Sequence, residues 1–285
     1  MEITLAKHYG FCQGVKYALE LANKVACENN QPIFMLNKIV HNQAVVDELT
    51  KKNIITLDDS RSLEEKINSI EKGTIIFSAH GHDKKLEALA LQRNLQIVDA
   101  TCPKVIANEK SINTALKNNK TVLYIGIRNH PETLASLSIS EKVIFIDFFN
   151  PDYSLLKSDY DVSIHNQTTL IQEDLKRIYE EIKPKVHSME IKNDICYATS
   201  LRQQSLNEIT DEEVIFIIGD KISSNSTRLY EVAKKTYPHL DIYQISSLND
   251  LKNIDLSQYK KGFVTAGAST PNSVINPILE KLKSN

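Results

Sequence analysis

Short apolar runs alternate with longer amphipathic stretches along the whole chain. QPIFMLN, TVLYIGI and EEVIFIIGD are nearly continuous apolar runs, the pattern of strands buried on both faces. IITLD, KVIFIDF and DIYQIS follow as further strand-like runs, and TIIFSAHG, DVSIHNQTT and KGFVTAGAST make another set. A last set, EITLAKHYGFC, LQIVDATC and MEIKNDIC, ends each time on a cysteine. Between the strands lie segments with apolar residues at helical spacing. These are GVKYALELANKVACENN, PKVIANEKSINTALKNN, KKLEALALQ, IQEDLKRIYEEI and SVINPILEKL, with YATSLRQQSLNEIT a weaker match.

The order of these elements repeats three times. Cys12 and Cys102 are 90 residues apart (102 − 12), and Cys102 and Cys196 are 94 apart (196 − 102). Each third runs strand to cysteine, helix, strand to polar turn, helix, strand, helix, strand to polar turn, helix. Strands alternating with helices predict mainly parallel α/β sheets. The period is too long for a solenoid, whose repeats run about 20–50 residues. The pattern predicts three small α/β lobes about a pseudo-threefold axis: 13–98 with Cys12 at its start, 99–193, and 194–285 together with 1–12. Ligands of open α/β sheets bind beyond the carboxyl ends of the strands, where the cysteines and polar turns fall.

Composition narrows the function classes. The chain has 285 residues, 41% of them hydrophobic, enough for a large core and, on length alone, about two domains. With 34 basic and 36 acidic residues the formal net charge is -2. No basic tract suggests a nucleic-acid surface or a polybasic membrane patch. No run approaches the roughly 18 apolar residues of a membrane span, and MEITLAKHYG reads as a strand rather than a signal peptide. The expectation is a cytoplasmic protein with no nucleic-acid or membrane partner; organellar import of a longer precursor is compatible with the sequence.

The four cysteines are widely spaced, with no compact CxxC pair. Cys12, Cys102 and Cys196 share one place in the repeat, at a strand end before a helix, where the helix N-terminus favours thiolate. Gly10 and Gly14 flank Cys12, and Pro103 follows Cys102 at a position suited to N1 of a helix. Three equivalent thiolates suit an iron–sulfur cube with one corner free. Two other readings stand beside it: three small buried side chains, or a Cys₃His zinc site completed by His41 or His80 in a small-anion-binding α/β protein without redox activity. Cys27 lies inside a helix at no repeated position and reads as structural.

The polar turns carry His41, His80, His130, Ser223, Ser224, Asn225, Thr168 and Ser269. Hydroxyls, amides, imidazoles and free backbone N–H groups at helix N-termini suit an anion such as phosphate. Simple N-capping by Ser223–Ser226, and by His130 with Pro131 at N1, would use the same groups. No Walker loop or GxGxxG occurs. Glu132 is the one carboxylate inside a polar turn. Enclosure would hold its proton for general acid catalysis, whereas the helix dipole would favour its charged form.

In order along the chain, GFCQGV, HN at 41–42, SAHG, DATCPKV, HPE, QTT, DICYAT, SSNS and TAGAST resemble the 4-hydroxy-3-methylbut-2-enyl diphosphate reductase family, also called LytB. The resemblance runs nearly end to end. It implies a trefoil of three α/β domains around a central [4Fe–4S] cluster held by Cys12, Cys102 and Cys196, with one iron open. It implies diphosphate binding by His41, His80, His130, Ser223, Ser224, Asn225 and Ser269. Glu132 is implied as the proton-delivering acid, with Thr168 beside the substrate hydroxyl. The implied reaction is reductive dehydration to isopentenyl and dimethylallyl diphosphate, with ferredoxin or flavodoxin as electron donor. Departures from the family pattern are Asn129 where glycine is common, TLASLSIS after Glu132, His82 after SAHG, and Ser200–Leu201 after DICYAT.

Overall fold

The computed structural model describes residues 1–28 and 31–285. Asn29 and Asn30, the end of the first expected helix, lie outside the described residues. In chain order the elements begin β1 (Glu2–Leu5), α1 (Gln13–Glu28), β2 (Ile33–Leu36), α2 (Gln43–Thr50), β3 (Ile54–Leu57), α3 (Leu63–Asn68), β4 (Thr74–Phe77), α4 (Lys84–Gln92) and β5 (Gln96–Asp99). Next come α5 (Pro103–Lys117), β6 (Thr121–Gly126), α6 (Pro131–Ser138), β7 (Val143–Asp147), β8 (Asp161–Asn166), α7 (Gln172–Ile182) and β9 (Ser188–Ile191). The last are α8 (Tyr197–Ser205), β10 (Val214–Ile218), α9 (Ser224–Thr236), β11 (Asp241–Ile245), β12 (Lys261–Ala266) and α10 (Asn272–Lys283).

The strands form three four-stranded sheets, ordered β3-β2-β4-β5, β7-β6-β8-β9 and β11-β10-β12-β1. Every pairing is parallel. The three orders are the same. In each, the strand leading to a cysteine is an edge, and the two central strands end in the polar turns. The helix after β2, β6 or β10 leads to one side of its sheet, and the strand after β4 or β8 adds on the other. The polar turns therefore sit at the switch points of the sheets, where α/β folds bind ligands.

Burial follows the expected pattern. β4 is buried throughout, as is β10, and β6, β8 and β12 are buried after their first residue. The edge strands β1, β5 and β9 are half exposed. Alternate residues of β10 feed two cores. Val214, Phe216 and Ile218 pack with Ile275, Ile278 and Leu282 of α10. Ile215 and Ile217 pack with Leu229 and Ala233 of α9 and with Leu206. Each such Val, Leu, Ile or Phe side chain removed from water contributes about 1.5–3 kcal/mol.

The chain forms two compact units. One comprises Met1–Lys16, Val40–Glu48 and Cys196–Asn285, and the other Tyr17–Ile39 and Leu49–Ile195. The first holds the β1-containing sheet and the second holds the other two.

The third helix of the repeat differs among the thirds. It is α3 in the first, capped by a Ser62–Glu65 capping box. In the third it shrinks to two short 3₁₀ turns, Asp250–Asn253 and Leu256–Gln258. After β7 it is absent among the described residues. There Asp147 accepts from the backbone N–H groups of Phe149 at 3.0 Å and Asn150 at 3.3 Å, and Pro151 follows. Local side-chain bonds of this kind and a proline both compete with helix formation. YATSLRQQSLNEIT is helical only over α8, then tightens into a 3₁₀ turn at Leu206–Glu208.

Asn129 has φ +63. Its turn needs the left-handed conformation, which asparagine tolerates better than other residues with a Cβ. The residue thus serves where glycine is common in the family. Gly126, at the end of β6, permits a close approach instead: a Cβ there would meet Thr133 Oγ1 at 2.4 Å and a ring carbon of Tyr124 at 2.9 Å. Thr133 is β-branched and cannot swing aside freely. Gly126→Ala should cost about 1–3 kcal/mol through overpacking, read as a lowered urea midpoint at unchanged m.

Candidate active site

In the second unit the site is built on β4, β6 and β8. α6 starts at Pro131, with His130 as its N-cap. His130 Nδ1 accepts from the Glu132 backbone N–H at 3.2 Å, so the capping role of this histidine is real. Glu132 is only 2% exposed. Thr168, just past β8, donates to it twice: its backbone N–H to Oε1 at 2.8 Å and its hydroxyl to Oε2 at 2.9 Å.

Two effects compete at this carboxyl. The donors of Thr168 and the helix N-terminus favour the anion. Burial favours the acid and is the larger effect, aided by Asp194 and Glu109; the carboxyl is raised to about 7. Near neutral pH Glu132 can therefore both hold and release a proton.

Neighbouring residues fix the geometry. Gln167 Oε1 accepts from the Ile127 N–H at 2.9 Å and from Thr133 Oγ1 at 3.3 Å, and Gln167 Nε2 donates to Thr169 Oγ1 at 2.8 Å. These bonds tie the turn after β8 to the turn before α6. The His80 ring lies edge-on to that of His130, with centroids 5.6 Å apart. The Cys102 N–H donates to the Ala79 carbonyl at 3.0 Å, which holds this cysteine beside the His80 turn. Cys102 is the N-cap of α5 with Pro103 at N1, and its side chain makes no capping bond.

A buried polar network behind Glu132 was not legible as functional. His165 Nδ1 lies 3.2 Å from Asn108 Oδ1 and 3.0 Å from Asp194 Oδ2, and Ser163 Oγ lies 3.1 Å from its Nε2. Asn108 also donates to the Asn166 carbonyl at 3.1 Å. The only signal was Ser163 and His165 alternating with Val162 and Ile164 in the strand-like run DVSIHN, and an aspartate two residues before Cys196. His82 packs structurally: it stacks on Phe77 at 3.9 Å and meets Glu87 Oε1 at 2.7 Å. Lys84 Nζ sits 2.5 Å from Glu87 and 3.6 Å from Asp99, so an ammonium already balances these carboxylates.

In the first unit the polar turns follow β10 and β12. Ser223 Oγ and Ser269 Oγ are 3.0 Å apart, both nearly buried. Ser223 is the N-cap of α9 but its side chain makes no capping bond, so plain capping does not account for it. Ser224 and Asn225 open the first turn of α9, and Asn225 Oδ1 accepts from Thr199 Oγ1 at 3.1 Å. His41 and Asn42 precede α2, where Asn42 Oδ1 accepts from the Val45 N–H at 3.3 Å.

Cys12 and Cys196 also belong to the first unit. The Cys12 N–H donates to the Ala268 carbonyl at 3.2 Å, beside Ser269, and its Sγ accepts from the Val15 N–H at 3.4 Å. Cys196 is the N-cap of α8 without a side-chain capping bond. None of the three repeated cysteines is in a disulfide and all three are half-buried, whereas Cys27 is exposed. Cys102, His80, His130, Glu132 and Thr168 thus lie in one unit, and Cys12, Cys196, His41, Ser223, Ser224, Asn225 and Ser269 in the other.

Titration of Glu132 has a consequence for stability. Its value in the fold, about 7, lies above the ordinary 4.5, so the native state binds more protons than the unfolded chain between these pH values. Its contribution is present below pH 4.5 and is lost as pH rises through about 7. The loss is on the order of 3 kcal/mol. Urea unfolding at pH 5 and pH 8 should show this fall in the native chain and a smaller one in Glu132→Gln.

A family model described as LytB protein matches residues 3–283. The chain is 33% identical to the 4-hydroxy-3-methylbut-2-enyl diphosphate reductase of Macrococcus caseolyticus, over 99% of this chain and 89% of that protein. It is 33% identical to the reductase of the same name from Symbiobacterium thermophilum, over 99% and 97%. Among solved structures it is similar to the E-1-hydroxy-2-methyl-but-2-enyl-4-diphosphate reductase of Plasmodium falciparum, with TM-score 0.86, 26% identity and coverage of 98% of this chain and 87% of that one. A structure of (E)-4-hydroxy-3-methyl-but-2-enyl diphosphate reductase, described as the terminal enzyme of the non-mevalonate pathway, matches with TM-score 0.70, 28% identity and coverage of 100% and 99%.

Proposed function

This chain belongs to the LytB family, and from that membership we infer that it is an oxidoreductase acting on 4-hydroxy-3-methylbut-2-enyl diphosphate. It removes the allylic hydroxyl to give isopentenyl and dimethylallyl diphosphate, the last step of the non-mevalonate route. Two electrons and two protons enter for each water that leaves. The observation that carries the reading is the buried Glu132 carboxyl, held by both donors of Thr168 and raised to about 7. A pure anion-binding site has no need of a proton donor poised at neutral pH.

The residues present fit an iron–sulfur cluster. Cys12, Cys102 and Cys196 are unbridged, half-buried thiols, each placed at the start of a helix, and thiolates are the usual protein ligands of such clusters. We assign these three as ligands of a [4Fe–4S] cluster. When bound, it would supply electrons and, at the iron lacking a protein ligand, a Lewis-acid site for the substrate hydroxyl.

The chain's own groups do the rest. Glu132 Oε1 or Oε2 holds the proton that leaves with the hydroxyl as water, and Thr168 orients that carboxyl. His41, His80, His130, Ser223, Ser224, Asn225 and Ser269 bind the diphosphate, drawing on imidazole, hydroxyl and amide donors together with the positive ends of the α2, α6 and α9 dipoles. Three lobes, 13–98, 99–193 and 194–285 with 1–12, an electron donor of the ferredoxin or flavodoxin type, and a cytoplasmic setting complete the reading. No helix among the described residues is long and apolar enough to cross a membrane.

Iron, acid-labile sulfide and zinc counts on protein purified without oxygen test the cofactor. About four irons and four sulfides per chain, as a cubane requires, are expected. Stoichiometric zinc without sulfide would overturn the cluster assignment.

A further inference from the structure

Arg202 on α8 is a buried cation without a carboxylate. The residue is 7% exposed. Its Nη1 donates to the Ala198 carbonyl at 2.7 Å and its Nη2 donates to the Gly10 carbonyl. Its Nε is buried with no hydrogen-bond partner. Ala198 lies two residues after Cys196 and Gly10 two residues before Cys12, so one guanidinium clasps both cysteine-bearing segments. The Cys12 and Cys196 side chains are the titratable groups close enough to act on it electrostatically. Among the described residues no carboxylate pairs with it.

A guanidinium stays charged at any pH a protein meets. Burying it against two neutral carbonyls leaves most of its charge uncompensated, which is costly unless an anion lies close. With the proposed cluster bound, its thiolate ligands Cys12 and Cys196 would be that anion. Net charge and polar contacts around the sulfurs are among the factors that set the reduction potential of an iron–sulfur cluster.

We propose that Arg202 is a positioning residue that sets the fixed positive charge beside Cys12 and Cys196, and that this charge raises the reduction potential of the cluster they ligate. The proposal rests on the assignment of these cysteines to a cluster. A nearby cation stabilises the one-electron-reduced, more negative state over the oxidised one. Removing it must lower the potential.

The test uses Arg202→Gln and Arg202→Lys, both purified anaerobically with the native chain. Iron and sulfide are counted first, then the potential is read by titration with dithionite against mediator dyes, monitored by electron paramagnetic resonance. A native chain that binds no cluster defeats the cofactor assignment itself, separately from Arg202. With the native cluster in place, Arg202→Gln should bind full iron and shift the reduced-to-oxidised ratio at a fixed potential by about tenfold, or about 59 mV for a one-electron couple. Arg202→Lys, which keeps the charge but not the planar fork, should restore most of that shift. A Gln variant that loses iron while the Lys variant keeps it would show that the charge holds the cluster rather than tunes it, and would overturn the assigned effect on potential. An unchanged potential in Arg202→Gln, or equal shifts or equal iron loss in both variants, would overturn it.

Discussion

Glu132→Gln is expected to keep the fold and the iron content while lowering turnover by about 10²-fold or more. Glutamine has nearly the shape of a protonated glutamic acid. Its carbonyl can accept from the Thr168 N–H, now 2.8 Å from Oε1, and its amide can donate to the Thr168 hydroxyl, now 2.9 Å from Oε2, once that hydroxyl turns to accept. What it cannot do is give up a proton to a leaving hydroxyl. Folding should not suffer, because the substitution removes a carboxylate whose charged form is disfavoured at this buried position. The native enzyme should lose activity as pH rises through about 7, where Glu132 loses its proton. The variant's residual rate should lack that limb. Steady-state rates across pH 5.5–9, with iron counted on the same samples, check both points. Near-native turnover in the variant would remove Glu132 from the chemistry.

Replacing any one of Cys12, Cys102 or Cys196 by serine is expected to abolish or disrupt the cluster and to lower activity by about 10²-fold or more. Loss of groups that merely support a metal ligand already costs about 10–100-fold, and loss of a ligand should cost at least as much. The fold should survive, because the three thiols are half-buried strand-to-helix residues rather than members of the apolar cores. Cys27→Ser is the control: this exposed thiol near the end of α1 should change neither colour nor rate. Visible absorption, iron content and turnover of the four variants give the comparison. Equal effects in all four would point to general thiol damage, and full iron in the Cys102 variant would remove that ligand.

The strands were legible because the chemistry that buries them is one-dimensional. The VIFII stretch of EEVIFIIGD can bury all its side chains only between two layers, and β10 is buried from end to end. The threefold recurrence of cysteine and polar turn was legible for the same reason, since spacing survives in sequence. The segment after β7 was not, because its conformation depends on Asp147 accepting from the next residues' N–H groups. Such local bonds leave no periodic trace. The ionisation of Glu132 was also beyond sequence, since dipole and burial oppose each other and only packing sets the balance. Arg202 was invisible for a related reason. Its partner, the Gly10 carbonyl, lies 192 residues away, and nothing in YATSLRQQS marks one arginine as buried. Asn129 departs from the family pattern in the turn before Glu132, and its φ of +63 explains why the turn accepts it.

The most direct measurement is product formation by anaerobically purified, cluster-loaded protein given 4-hydroxy-3-methylbut-2-enyl diphosphate and a chemical reductant. Isopentenyl and dimethylallyl diphosphate should both appear, strictly dependent on reductant, at two electrons consumed per substrate. A protein that carries four irons and binds the diphosphate yet forms neither product would contradict the assigned reaction.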